Sequence, residues 1–167
     1  MPTRQILRSM VWSVAFMVAG FSSAMAGGFG DLVLAFPITE EMTGEEIDEA
    51  IMSQSIEQEI NHVFFAPLYK QVEAITGESY RHMTIHHLCD ARLGAQIADL
   101  DESMVVMMPC RVAVVESKDQ PGKFTLYTTN PMVVLEDPSV SEEIKQLILG
   151  FAPKLKALTE NVAAGEF

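Results

Sequence analysis

Apolar positions along the chain fall into blocks of three different periods. The first block is continuous: Arg4 and Arg8 precede an apolar run from Met10 to Phe21, and Ala24-Met25-Ala26 follows with the small-x-small form of a signal-peptidase site. The run is shorter than the roughly 20 residues a bilayer span needs. Residues 1–26 are therefore expected to be a signal peptide, with a mature chain beginning near Gly27. No cysteine follows Ala26, so no lipid anchor is expected there and no membrane association after cleavage. Residues 27–43 form a lead-in whose apolar part, Leu32 to Phe36, suits a strand at a sheet edge.

The second block has a helical period. Thr43-Gly44-Glu45-Glu46 has capping-box form. Ile47, Ile51, Ile56, Ile60, Val63, Phe64, Leu68, Val72 and Ile75 then recur at three- and four-residue steps. The pattern predicts two helical pieces divided at Pro67 and stopped at Gly77, with His62 as a helix-face residue. Later blocks mix periods. Leu93, Ile97 and Leu100 follow the N-cap residue Asp90 at helical spacing. Met104 to Glu116 and Lys123 to Thr129 read as the arms of a hairpin turning at Pro121-Gly122, with Pro109 implying an edge or a bulge. Asp137-Pro138 opens a last helix, which Pro153 kinks and which ends near Val162. Strands and helices mixed in this way predict an α+β fold: one compact domain over residues 44–165, an antiparallel sheet backed by helices.

The segment Tyr80 to Leu88 admits two readings. As a helix, His82, His86 and Cys89 share a face at metal-ligand spacing. As a strand, His87 and Cys89 share one face, while His82 and His86 share the other, roughly 13 Å apart and too far for one ion. The preceding stop at Gly77, the β-branched Thr84 and Ile85, and the N-cap Asp90 favour the strand.

Charge and cysteine content narrow the class. Residues 1–26 carry two of the 11 basic groups and none of the 23 acidic ones, which leaves a net charge of −14 on the remainder. Such a surface repels phosphate backbones, so no nucleic-acid partner is expected; a basic periplasmic redox partner fits better. In an oxidising compartment the two cysteines, Cys89 and Cys110, have a bridge as their simplest reading, closing a loop of about 22 residues worth roughly 3 kcal/mol.

Their setting allows more than a bridge. Cys89 stands at a strand end directly before a helix N-cap, and Cys110 precedes Arg111. Unpaired N–H groups at a helix start and a nearby guanidinium both favour a thiolate, the reactive and metal-binding form. His87, or His86 through strand twist, could join the thiols, and Met104, Met107 and Met108 add thioethers of the kind that select Cu(I). The ligand set expected is Cys89, Cys110 and Arg111, and the metal set Cys89, Cys110, His87 and His86, with copper or zinc favoured over haem. Haem-attachment, zinc-protease, nucleophile-elbow and phosphate-loop motifs are absent, which removes the common hydrolase and nucleotide chemistries.

Cys89-Asp90-Ala91-Arg92-Leu93-Gly94-Ala95, then Met108-Pro109-Cys110-Arg111-Val112-Ala113-Val114-Val115-Glu116, and Leu126-Tyr127-Thr128-Thr129-Asn130-Pro131-Met132 resemble the domain of unknown function 302 family. The likeness extends from about Ser55 to Val134 and departs from the family at Asp90-Ala91, where an Asn-Pro type of turn is usual. The resemblance implies a helix-backed antiparallel sheet, a homodimer, and proximity of Cys89 and Cys110 at the sheet's end. Together these readings predict an exported soluble periplasmic binding protein that holds a soft metal ion or sulfur species through a Cys/Cys/His site, accessory to respiratory or sulfur metabolism. A thiol redox or sulfur-transfer enzyme with Cys89 as nucleophile, and a disulfide-stapled interaction module without a ligand, are the alternatives.

Overall fold

The computed structural model describes residues 29–167, so the expected signal peptide lies outside the described residues. Five strands form one antiparallel sheet: β1 Val33–Pro37, β2 Asn61–Pro67, β3 Met83–Cys89, β4 Cys110–Glu116 and β5 Phe124–Thr129, in the spatial order β1-β5-β4-β3-β2. The helices are α1 Gly44–Glu57, α2 Leu68–Thr76, α3 Ala91–Leu100, the short α4 Met132–Leu135, and α5 Glu142–Ala163. Helices α1 and α5 pack on each other and on one face of the sheet, which is the expected α+β arrangement.

Local chemistry sets most of these boundaries. Thr43 caps α1 with the predicted box: Glu46 N–H donates to Thr43 Oγ1 at 3.2 Å, and Thr43 N–H donates to Glu46 Oε2 at 2.7 Å. Gly77 ends α2 in the left-handed conformation, φ 74°, which favours glycine. Asp90 caps α3 by accepting from the N–H groups of Arg92 and Leu93. Alternation does the rest in β3 and β4: Thr84, His86 and Leu88 point inward, as do Val112 and Val114. The inward residues meet Ile47 and Ile51 of α1, Leu126 of β5, and Leu158 and Val162 of α5, all fully buried. Burying each such side chain is worth about 1.5–3 kcal/mol, so this contact between layers is the main source of stability.

Three elements differ from the sequence expectation. Residues 61–67 are strand β2, not helix, and His62 stands on that strand. Its pairing with β3 shifts register between His62 and Phe64, so apolar residues reach both faces and imitate a helical period. The chain reverses before β2 through Glu59, whose φ of 56° is rare for a residue with a side chain. The first hairpin arm is shorter than predicted: residues Glu102–Met107 form a 3-10 segment capped by Asp101, and Pro109 lies just before β4, which is an interior strand. Helix α5 begins after Ser141, whose Oγ accepts from Ile144 N–H, while Asp137 closes a separate turn on Ser139. Past its start, α5 continues through Pro153 and ends at Ala163, close to the expected end.

Candidate functional site

Two constellations stand out, one built of sulfur and apolar surface, the other of imidazole and carboxylate.

The first is a cavity of about 370 Å³ between the sheet, α3, α4 and α5. Phe36 of β1, Ile97 of α3, Leu135 of α4, and Ile148, Phe151 and Leu155 of α5 supply an almost wholly apolar wall. Into this wall the chain sets sulfur: Cys110 at the start of β4, and Met104, Met107 and Met108 from the segment before it. Arg111, Thr128, Thr129, Asn130, Lys156 and Thr159 are the polar members of the lining, so of the expected ligand residues both Cys110 and Arg111 border the cavity. Val106, Met107, Met132 and Leu149 around it are exposed, so the apolar character continues to the surface.

Cys89 and Cys110 are both half-buried free thiols; the bridge read from the sequence is not formed. Leu88 pairs with Cys110 across β3 and β4, so Cys110 faces the helical side with the core. Cys89 Sγ and Met108 Sδ border α3 at Gly94: a Cβ added there would lie 3.9 Å from the first and 3.1 Å from the second. The expected thiolate character is not met. Burial pushes the Cys89 thiol up, and the Asp90 carboxylate adds to this. Burial also pushes Cys110 up, with Cys89 adding and the Arg111 guanidinium offsetting only part. The cap that the sequence identified as an activator brings a negative side chain with it.

The histidines go elsewhere. His87 pairs with Arg111 on the opposite face of the sheet from Cys110, and its ring meets Phe64 edge-on at 5.4 Å between centroids. Burial lowers its pKa, and the neighbouring Arg111 charge lowers it further. His86 is fully buried and both of its ring nitrogens are occupied. Among the described residues, no three His, Cys, Asp or Glu side chains are placed to hold a metal ion together.

His86 belongs to the second constellation. Asp48, on the sheet-facing side of α1, accepts at Oδ1 from Thr84 Oγ1 at 2.6 Å and from His86 Nε2 at 2.8 Å, and at Oδ2 from His82 Nε2 at 3.1 Å. His86 Nδ1 lies 2.9 Å from His62 Nε2. Burial of Asp48 opposes its charge, but the bonds from His82, His86 and Thr84 outweigh it and bring its pKa down to about 2. Tyr69 stacks on His82 at 4.7 Å between ring centroids and donates to Glu45. Gly44 makes room for this packing, since a Cβ there would fall 2.4 Å from the His82 ring. Sequence reasoning placed His82 and His86 on one face but missed that one carboxylate could reach both. The available signal was Asp48 itself, an acid set between Ile47 and Ile51 in a helix that must bury a face.

The described residues thus define a class: a single α+β domain with a helix-backed, five-stranded antiparallel sheet and a thiol-bearing apolar cavity on its helical side. The chain belongs to the family described as Domain of unknown function DUF302, whose sequence profile matches residues 38–162. A crystal structure titled as that of an uncharacterized conserved protein DUF302 from Bacillus stearothermophilus has a similar fold, with a TM-score of 0.65 and 13% sequence identity, covering 78% of this chain and 98% of that chain. At that identity the likeness speaks for the fold alone. No curated protein matches.

Proposed function

We propose that this protein is an exported binding protein for a small, largely apolar, sulfur-bearing molecule held in the cavity beside Cys110. One observation carries the reading: a thiol and three thioethers open into an apolar space of about 370 Å³, within the roughly 300–1,000 Å³ typical of small-molecule sites. Polarisable sulfur lines such spaces adaptably and makes favourable contacts with soft ligands. Because burial holds the Cys110 thiol protonated, the site favours non-covalent capture of the ligand over rapid attack on it. The basic N-terminus, its apolar run and the Ala24-Met25-Ala26 site support export to the periplasm. The acidic surface suits a basic partner there, in respiratory or sulfur metabolism.

Native mass spectrometry of protein isolated from its own compartment tests the reading. The wild-type protein is expected to retain an apolar mass, and Ala152→Trp, which fills the cavity from α5, to lose it. Equal masses on both proteins, or none on either, would overturn the proposal.

A second reading keeps the soft metal. The sulfurs of Cys89 and Met108 both border Gly94, and Cys110 senses the charge of Cys89, so Cu(I) could be held by two thiolates and a thioether. Competition with a chromophoric Cu(I) chelator separates the two readings. Cys89→Ser and Met108→Leu should each weaken Cu(I) binding about tenfold, a cost of about 1.4 kcal/mol, if metal is the ligand; unchanged affinity removes it.

A further inference from the structure

We infer that the chain of side chains His62–His86–Asp48–His82 is a proton-operated latch on the edge strand β2. The direction of its hydrogen bonds follows from one fact: Asp48 is a carboxylate and can only accept. The protons of His86 and His82 therefore sit on Nε2, the nitrogens that face Asp48. A neutral His86 then has a bare Nδ1, which accepts from His62 Nε2–H across 2.9 Å. One added proton enters at His62 Nδ1 with every bond kept. A second, making both His62 and His86 imidazolium, sets N–H against N–H across the same 2.9 Å, and the bond is lost.

The surroundings make that loss mechanical. Strand β2 is at the sheet edge and pairs with β3 alone, its register already shifted between His62 and Phe64. Val63, Phe64 and Phe65 are exposed on it. The His62–His86 bond ties this irregular point to the interior strand. The charged neighbours do not relieve the doubly protonated state. From α1 come Asp48, already shared among three donors, and Glu45, which lies 3.9 Å from His82 Nδ1. From β3 and β4, His87 and Arg111 add only positive or neutral character on the far face, and Glu116 is bound to the His82 and Gly122 main chain. From α2 come the neutral Tyr69 and, beside its ring, Lys70. Arg81 is turned to the Glu116 carbonyl. In agreement, burial lowers the His62 pKa, His86 and His87 lower it further, and only Asp48 opposes them.

The sign follows. A chain with β2 released takes both protons near the ordinary imidazole value of about 6.5, whereas the latched one takes the first with its bond kept and resists the second. The stability this bond gives is present above that value and lost as the pH falls below it. Because Asn61 pairs with Cys89 and His62 with Leu88, release of β2 also frees the strand end that carries Cys89.

Amide hydrogen exchange of the purified chain between neutral and mildly acid pH, corrected for intrinsic rates, tests the latch. In the wild type, amides of residues 61–67 should lose protection about tenfold as the pH falls, while those of α1 and β4 keep theirs. His62→Gln should abolish the step, because a glutamine amide donates to a bare Nδ1 and accepts from a protonated one. A step of equal size in His62→Gln, simultaneous loss in α1 and β4, or no step in the wild type would overturn the inference. If the variant does not fold, the imidazole nitrogen-15 shifts of the wild type decide: His86 protonated on Nε2 at neutral pH supports the latch, and on Nδ1 contradicts it.

Discussion

Asp48 is the residue on which the interior polar network depends. It is 7% exposed and has no Lys or Arg partner among the described residues, so its charge is supported by His82, His86 and Thr84 alone. Hydrogen bonds to a charged acceptor contribute about 1.5–3 kcal/mol each to stability. Replacing it with asparagine keeps the shape but presents an amide N–H to one of three donors. Asp48→Asn is therefore predicted to destabilise the fold by about 3 kcal/mol, read as a lower urea midpoint with an unchanged slope. The pH dependence has a definite sign. The folded pKa of Asp48 is depressed to about 2, below an unfolded value of about 3.9, so its contribution is complete above that value and fades as the pH falls towards the folded one. Wild-type stability should fall through that window, and the Asp48→Asn curve should be flatter there.

Elements were legible where a local signal agreed with a tertiary demand. The capping box at Thr43 and Glu46, the stop at Gly77 and the cap at Asp90 are each satisfied within a few residues, so the sequence displays them directly. Strand β3 followed from the same signals, since it fills the space between a helix stop and a helix start. Strand β2 was hidden because its register shift puts apolar residues on both sides, and three- and four-residue spacings then imitate a helix. The β-formers Val63, Phe64 and Phe65 before Pro67 were the signal to weigh against that period. The start of α5 was misplaced because Asp137-Pro138 resembles a helix start, whereas Ser141 with Glu142 and Glu143 is the functioning one. At this scale the prediction concerns α1, which carries Asp48 to the sheet. Thr43→Ala removes the acceptor for Glu46 N–H and should cost about 1 kcal/mol by urea unfolding.

At the scale of the whole molecule, the site was legible only in part. The sequence identified Cys110 and the three methionines but not the space they line, because its walls come from residues as far apart as Leu34 and Thr159. It grouped His87 with the thiols by strand parity, and the sheet register places His87 across the sheet from Cys110. It also missed the Asp48 network, whose members come from α1, β2 and the β3 segment. The central claim is that the cavity selects apolar, sulfur-bearing molecules beside Cys110, and thiol–disulfide exchange brought to equilibrium measures that preference however slowly the protonated thiol attacks. A symmetric disulfide reacts with the Cys110 thiol to give a mixed disulfide and one released thiol, so protein mass reports capture. The protein is offered an equimolar pair of dialkyl and charged disulfides under reversible conditions, and the modified residue is mapped. The account predicts that Cys110 retains the alkyl thiol over the charged one by at least about tenfold, a preference of about 1.4 kcal/mol, and that Ala152→Trp removes the preference. Equal retention of the two thiols at Cys110, or a preference that survives Ala152→Trp, would contradict it.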